Sequence, residues 1–196
     1  YVNMVNESDK LSAVYGNNDE QLRIQAPAGI FNSELNAPWN ASGLASAFVN
    51  LYPEMADDSY ATIGLTGPAS EAGVDALNPE LAESDESPLT IADFFTSGGV
   101  DLDISNSVGG IWYVAGFASN ANAGVEGRVF IMQITSEGSL FGSINAQIFP
   151  NGDGQGEFKL SLTFAGEGTY AADGYGNSCG CTEDEAINYD PAADYD

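Results

Sequence analysis

SLFGSINAQIFPNGDGQGEFKLSLTFAG, residues 139–166, decides how this chain folds. In its first run Leu140, Ile144, Ala146 and Ile148 share one side, with Ser143, Asn145 and Gln147 on the other. In the second run Phe158, Leu160, Leu162 and Phe164 alternate with Lys159, Ser161 and Thr163. A period of two is the mark of half-buried strands, because successive side chains leave opposite faces of a sheet. The PNGDGQG between the runs offers Asn-Gly and Asp-Gly steps, which tolerate the positive φ of a tight reversal. The stretch predicts an antiparallel hairpin.

Working outward, GRVFIMQIT (127–135) reads as a third strand that turns at SEG into the first run. Before it, GIWYVAGFA (110–118) is apolar on both faces and glycine-bounded, as a doubly covered central strand would be. Four strands with short connections predict a meander. The N-terminal half offers strands at Leu11–Gly16, Gln21–Gln25 and Ser59–Leu65, and a short helix from about Gly43 to Leu51, stopped by Pro53. A second helix is predicted over Thr90–Phe95 with Thr90 as its N-cap. Pro68 to Pro88, rich in Gly, Pro, Ser and acids, reads as a long exposed loop. Together these predict an all-β fold, an antiparallel β-sandwich with one or two short helices and a jelly-roll-like arrangement as the first variant to consider. Composition divides the chain into a domain over 1–165, a Gly-rich linker over 166–178 and an acidic, cysteine-headed segment over 179–196.

The chain has 196 residues and a formal charge of −25, from 29 acids against Lys10, Arg23, Arg128 and Lys159. Such a surface repels nucleic acid and anionic membranes, which removes both as partners. It repels copies of itself too, unless salt or divalent cations screen it. The acidity reads first as adaptation to a saline medium and second as calcium binding by some of the carboxylates. Histidine is absent, so the commonest general base and transition-metal ligand is missing. Carboxylate-only hydrolysis would still be open in principle. No pair of acids is singled out, and the reading is of a protein that is not an enzyme. No run reaches the ~20 apolar residues of a membrane helix. No leader segment is visible, so secretion would mean the mature or truncated form.

Asn151, Asp153, Gln155 and Glu157 stand at alternate positions separated by glycine, like the oxygen ligands in the first half of a calcium loop. The plainer reading is a hairpin turn. In the last segment Asp190, Asp194 and Asp196 surround a proline-fixed turn, where calcium would let the carboxylates converge. Cys179 and Cys181, one glycine apart, bond each other only with strain, which points to disulfide partners elsewhere and an oxidising compartment. Trp39 and Tyr52 are the candidates for sugar-stacking aromatics, though most aromatics here sit in apolar runs and read as core. Asn6-Glu-Ser8 and Asn40-Ala-Ser42 match the N-glycosylation pattern.

The final segment, CGCTEDEAINYDPAADYD, resembles the GCTDPxAxNYDPxAxxDDGSC repeats of large secreted proteins, especially of marine bacteria. Gly180, Cys181, Thr182, Ala186, Asn188, Tyr189, Asp190, Pro191 and Ala193 carry the match, and Ile187 stands where a middle cysteine is often found. The body, through SAVYGNNDEQLRI, YPEMADDSYATIGL and the run from GGIWYVAGF to INAQIFPNG, is similar to extracellular domains that precede such repeats. The resemblance implies secretion, a modular parent protein and a saline habitat, and it supplies no catalytic residues. The expectation is a structural or adhesive module at the cell surface or in an extracellular filament, calcium-stabilised and associating with its own copies or neighbouring modules. The alternative is a calcium-dependent module that binds polysaccharide.

Overall fold

A computed structural model describes residues 1–85 and 89–170. The strands are β1 (Val2–Asn3), β2 (Lys10–Gly16), β3 (Leu22–Gln25), β4 (Tyr60–Ala61), β5 (Glu80–Glu83), β6 (Asp101–Ile104), β7 (Gly110–Tyr113), β8 (Arg128–Val129), β9 (Met132–Gln133), β10 (Phe141–Phe149) and β11 (Phe158–Ala165). Among the described residues three short helices accompany them: α1 (Ser46–Leu51), α2 (Ala69–Ala72) and α3 (Ile91–Ser97). The fold is all-β, antiparallel and sandwich-like. Its large layer is a seven-stranded sheet in the order β5-β7-β2-β10-β3-β6, with β11 on the other side of β10.

The hairpin forms as the alternation predicts: β10 and β11 pair from Phe141–Ala165 to Ile148–Phe158. On its far edge β10 pairs with β2 over Asn145–Phe149 and with β3 over Phe141–Ser143. β2 and β3 therefore lie end to end along one neighbour, as a single long strand interrupted by residues 17–21. The next column repeats the plan. β7 pairs with β2 and β6 with β3, with residues 105–109 as the interruption. The two breaks meet. A Cβ on Gly16 would come 2.5 Å from Leu22 Cβ, and one on Gly109 (φ +78°) 2.5 Å from the Gly16 carbonyl oxygen. Only glycine fits where the two backbones leave the sheet together.

One sheet face is core. Leu160, Ala146, Val14 and Trp112 form a buried row across four strands, continued by Leu81. The second layer consists of the small ladders β1/β8 and β4/β9 together with α3. It contributes Val2, Val129, Ala61, Phe94 and Phe95 to the same apolar cluster. Trp112 ties the layers together, donating Nε1–H to the Thr62 carbonyl at 3.1 Å and meeting Phe95 edge-on at 6.4 Å. A buried indole satisfies both halves of its chemistry this way.

Several expectations need correction. The C-terminal meander reduces to its last hairpin. β7 pairs with β2 and β5, whereas β8 and β9 leave the sheet and pair with β1 and β4. Alternation shows which face a residue takes but not which strand lies beside it. Two 3-10 turns, Ser119–Ala121 and Gly124–Glu126, carry the chain to the other layer. The supposed loop of 68–88 contains α2 and the edge strand β5. Of Ser59–Leu65 only Tyr60–Ala61 is strand. The two helices beside Pro53 and Thr90 are present, and Thr90 Oγ1 accepts from the Asp93 N–H at 3.1 Å. The linker beyond Tyr170 and the whole acidic segment lie outside the described residues.

Candidate functional site

The sheet face away from the core is open to solvent. Lys159, Gln147, Ala13, Tyr113 and Glu80 cross it as one row, and Ser161, Asn145, Tyr15, Ile111 and Ala82 as the next. A groove of about 520 Å³ lies across these rows and is bounded by Asn17, Val108 and Gly109 from the two strand interruptions.

Both interruptions are built alike. Asn17 Oδ1 accepts from the Asp19 and Glu20 N–H groups, each at 2.8 Å. Asn106 Oδ1 accepts from the Val108 and Gly109 N–H groups at 3.0 and 2.7 Å. A short amide side chain bonding the backbone two and three residues on replaces the lost ladder locally. Asn145, buried in β10, fastens the first interruption from beside it. Its Nδ2 donates to the Tyr15 and Glu20 carbonyls at 3.1 and 2.9 Å, and its Oδ1 accepts from Ser161 Oγ at 2.6 Å.

The groove's charged groups are largely spoken for. Glu83 accepts from the Ile91 and Ala92 N–H groups at 2.5 and 3.3 Å, capping α3 from the neighbouring strand. Glu157 pairs with Lys159 at 3.7 Å, and the ammonium lies 5.8 Å from the Tyr15 ring centre. Tyr15 donates to Glu20 Oε2 at 2.9 Å. Burial first, then that hydrogen bond and the Glu20 charge, push its phenol well above the ordinary value, so it stays neutral. Tyr113 donates to Glu80 Oε2 at 2.8 Å, and this bond pushes its phenol up as well. Gln147 Oε1 accepts from Ser12 Oγ at 2.7 Å, while its Nε2 has no partner among the described residues.

The predicted oxygen ligands take other places. Asn151 adopts φ 55° in the hairpin turn, with Gly152 at φ 69°, as the plainer turn reading requires. Its N–H donates to Asp9 Oδ1 at 2.7 Å. Asp9 is buried and also accepts from the Val5 and Asn6 N–H groups, which fastens the N-terminal loop to the hairpin. Asp153 accepts from the Gln155 N–H at 2.9 Å within the turn, and Glu157 belongs to the groove. Among the described residues no group of three or more His, Cys, Asp or Glu could hold a metal ion. Asp190, Asp194, Asp196, Cys179 and Cys181 lie outside the described residues. Trp39 is half-buried against the core, and Tyr52 is exposed at the end of α1. Asn40 is buried, its Oδ1 accepting from the Ser42 N–H at 3.0 Å and its Nδ2 donating to the Pro79 carbonyl at 3.3 Å, so its acceptor tripeptide is closed in the fold.

Sequence reasoning placed Gln147 and Lys159 on the polar face but did not find the groove. Its lining comes from five strands far apart in sequence, and no local pattern announces their pairing.

Fold and face together define a class: an antiparallel, sandwich-like β module with one covered and one open face. No protein-family model, curated protein or solved structure matches the chain.

Proposed function

We propose that this chain is a non-catalytic extracellular module, a structural or adhesive element of a surface layer or filament, whose copies meet through strand addition at β11. The observation that carries the reading is the contrast among the sheet edges. β5 and β6 are four residues each and are guarded by Glu80 and Glu83, and by Asp101 and Asp103. β11 has eight residues with one Lys, no Pro and no acid, and on its outer side no strand partner among the described residues. Sheet edges are ordinarily shortened, charged or interrupted to prevent pairing. A long unguarded edge on a chain of net charge −25 supports a contact that operates once repulsion is screened. Calcium bridging of acidic faces, and disulfides from Cys179 and Cys181 to neighbouring modules, would complete such an assembly.

Light scattering at seawater-like calcium, with and without chelator, tests the reading, alongside the double variant Thr163→Lys/Ala165→Lys. Large particles that shrink on chelation and are lost in the variant are expected. A variant that assembles like the parent sinks the β11 contact, and indifference to chelator sinks the calcium bridge.

A further inference from the structure

We infer that the groove on the open face is a binding site for an uncharged polysaccharide chain. The inference uses the face of the sheet and not its edge, so it stands apart from strand addition.

Charge narrows the ligand first. A protein of net charge −25 disfavours anionic chains, and the groove's one ammonium, Lys159, is already paired with Glu157. A cationic peptide is no better served, because both Glu83 oxygens are taken by the N–H groups at the start of α3. The remaining lining is polar and neutral: Tyr15, Asn17 and Gln147, beside the apolar Ile111, Ala82 and Val108. Gln147 Nε2 and Asn17 Nδ2 have no partner among the described residues, and their own oxygens are occupied by Ser12 and by the turn. These amides are held in place with their donors to spare, while the Tyr15 hydroxyl oxygen keeps acceptor capacity.

Sugar hydroxyls both donate and accept, and the C–H faces of a pyranose pack on aromatic and aliphatic surface. Shape agrees with the chemistry. A row spanning five strands measures about 19 Å at the usual strand spacing, which accommodates several consecutive sugar units. Ala82 keeps the floor low beside Ile111. The side chains that hold the walls, Asn17, Asn106 and Asn145, are bonded to backbone before any ligand arrives, so binding orders little.

The test is titration calorimetry with cellohexaose, laminarihexaose and mannohexaose, and with hexagalacturonate as the anionic comparison. Protein is kept at a concentration where scattering shows monomer, so that failure here is separable from failure of strand addition. At least one neutral hexasaccharide should bind, with amide chemical-shift changes centred on Tyr15, Ile111 and Gln147. Ala82→Phe fills the floor at an exposed strand position that tolerates an aromatic. It should weaken binding by about tenfold or more while leaving the melting temperature near the parent's, and Gln147→Ala should weaken it as well. Absence of binding by all three neutral probes overturns the proposal. So does equal binding of galacturonate, a shift map elsewhere on the surface, or full affinity in Ala82→Phe.

Discussion

Replacing Asn145 with alanine removes the fastener between β10 and the first strand interruption. Three hydrogen bonds go: those from Nδ2 to the Tyr15 and Glu20 carbonyls and the one from Ser161 Oγ. At about 1 kcal/mol net for each bond the loss is roughly 3 kcal/mol. The two abandoned carbonyls belong to half-buried residues and regain some water, whereas the space left by the amide in a side chain 1% exposed pulls the other way. The expected destabilisation is about 2–4 kcal/mol, against roughly 0.5–1.5 kcal/mol for Ser161→Ala, which breaks one of the three bonds.

Urea denaturation at fixed salt measures both, with the midpoint shifting and the slope unchanged. Asn145→Asp adds a sign. A carboxylate facing two carbonyl oxygens has its folded pKa raised, so its penalty grows as pH rises above the ordinary aspartate range near about 3.9 and shrinks below it. A loss below about 1 kcal/mol for Asn145→Ala, or one matched by Ser161→Ala, would refute the idea that this side chain replaces the missing ladder.

Three further expectations follow from the fold. A Cβ on Gly43 would lie 2.0 Å from Asn36 Oδ1, and the amide of Asn36 holds buried Asp58, so Gly43→Ala should cost about 2–4 kcal/mol in urea denaturation. Gly116→Ala, with nothing within 4 Å, is the comparison and should be near neutral. Burial pushes the Asp58 carboxyl above its ordinary value despite hydrogen bonds from Ser33, Asn36 and Ser59 that pull it down. The stability linked to this group is therefore fully present below the unfolded pKa and lost as pH rises through the folded one. A carboxyl NMR titration with a midpoint at or below the usual aspartate value contradicts that. Raising sodium chloride from about 0.01 M to 1 M shortens the screening length from roughly 30 Å to 3 Å. With three exposed ion pairs to lose among the described residues and a net charge of −25 to screen, the melting temperature should rise, and a flat or falling curve counts against self-repulsion.

The hairpin at residues 139–166 was legible because both its runs keep a strict period of two and the turn between them carries its own chemistry. The stop of α1 before Pro53 and the Thr90 cap of α3 were legible for the same local reasons. Strand neighbours were not. β10 lies beside β2 and β3, more than a hundred residues earlier, where Ala146 sits between Leu160 and Val14 in a row that only the assembled core buries. β5 was hidden because Glu80–Glu83 is an edge strand with polar, half-exposed residues, which looks like loop in composition. The oxygen-rich hairpin turn misled in an informative way. Asn and Asp serve turns and calcium loops through the same short side chains, and here Asn151 and Asp153 bond backbone.

The paired interruptions of β2/β3 and β6/β7 have a consequence for how this scaffold can diverge. Register on each side of a break is pinned separately, by β10 on one flank and by the glycines where the breaks touch. Each excursion is also closed at its base by its own asparagine. Asn18 and Asp19 in one excursion and Ser107 and Val108 in the other are exposed and belong to neither ladder nor core, so exchanges there leave the pairing intact. The wall of the open face is thus a tolerant region on a fixed frame, a place where new recognition can be written without refolding the molecule.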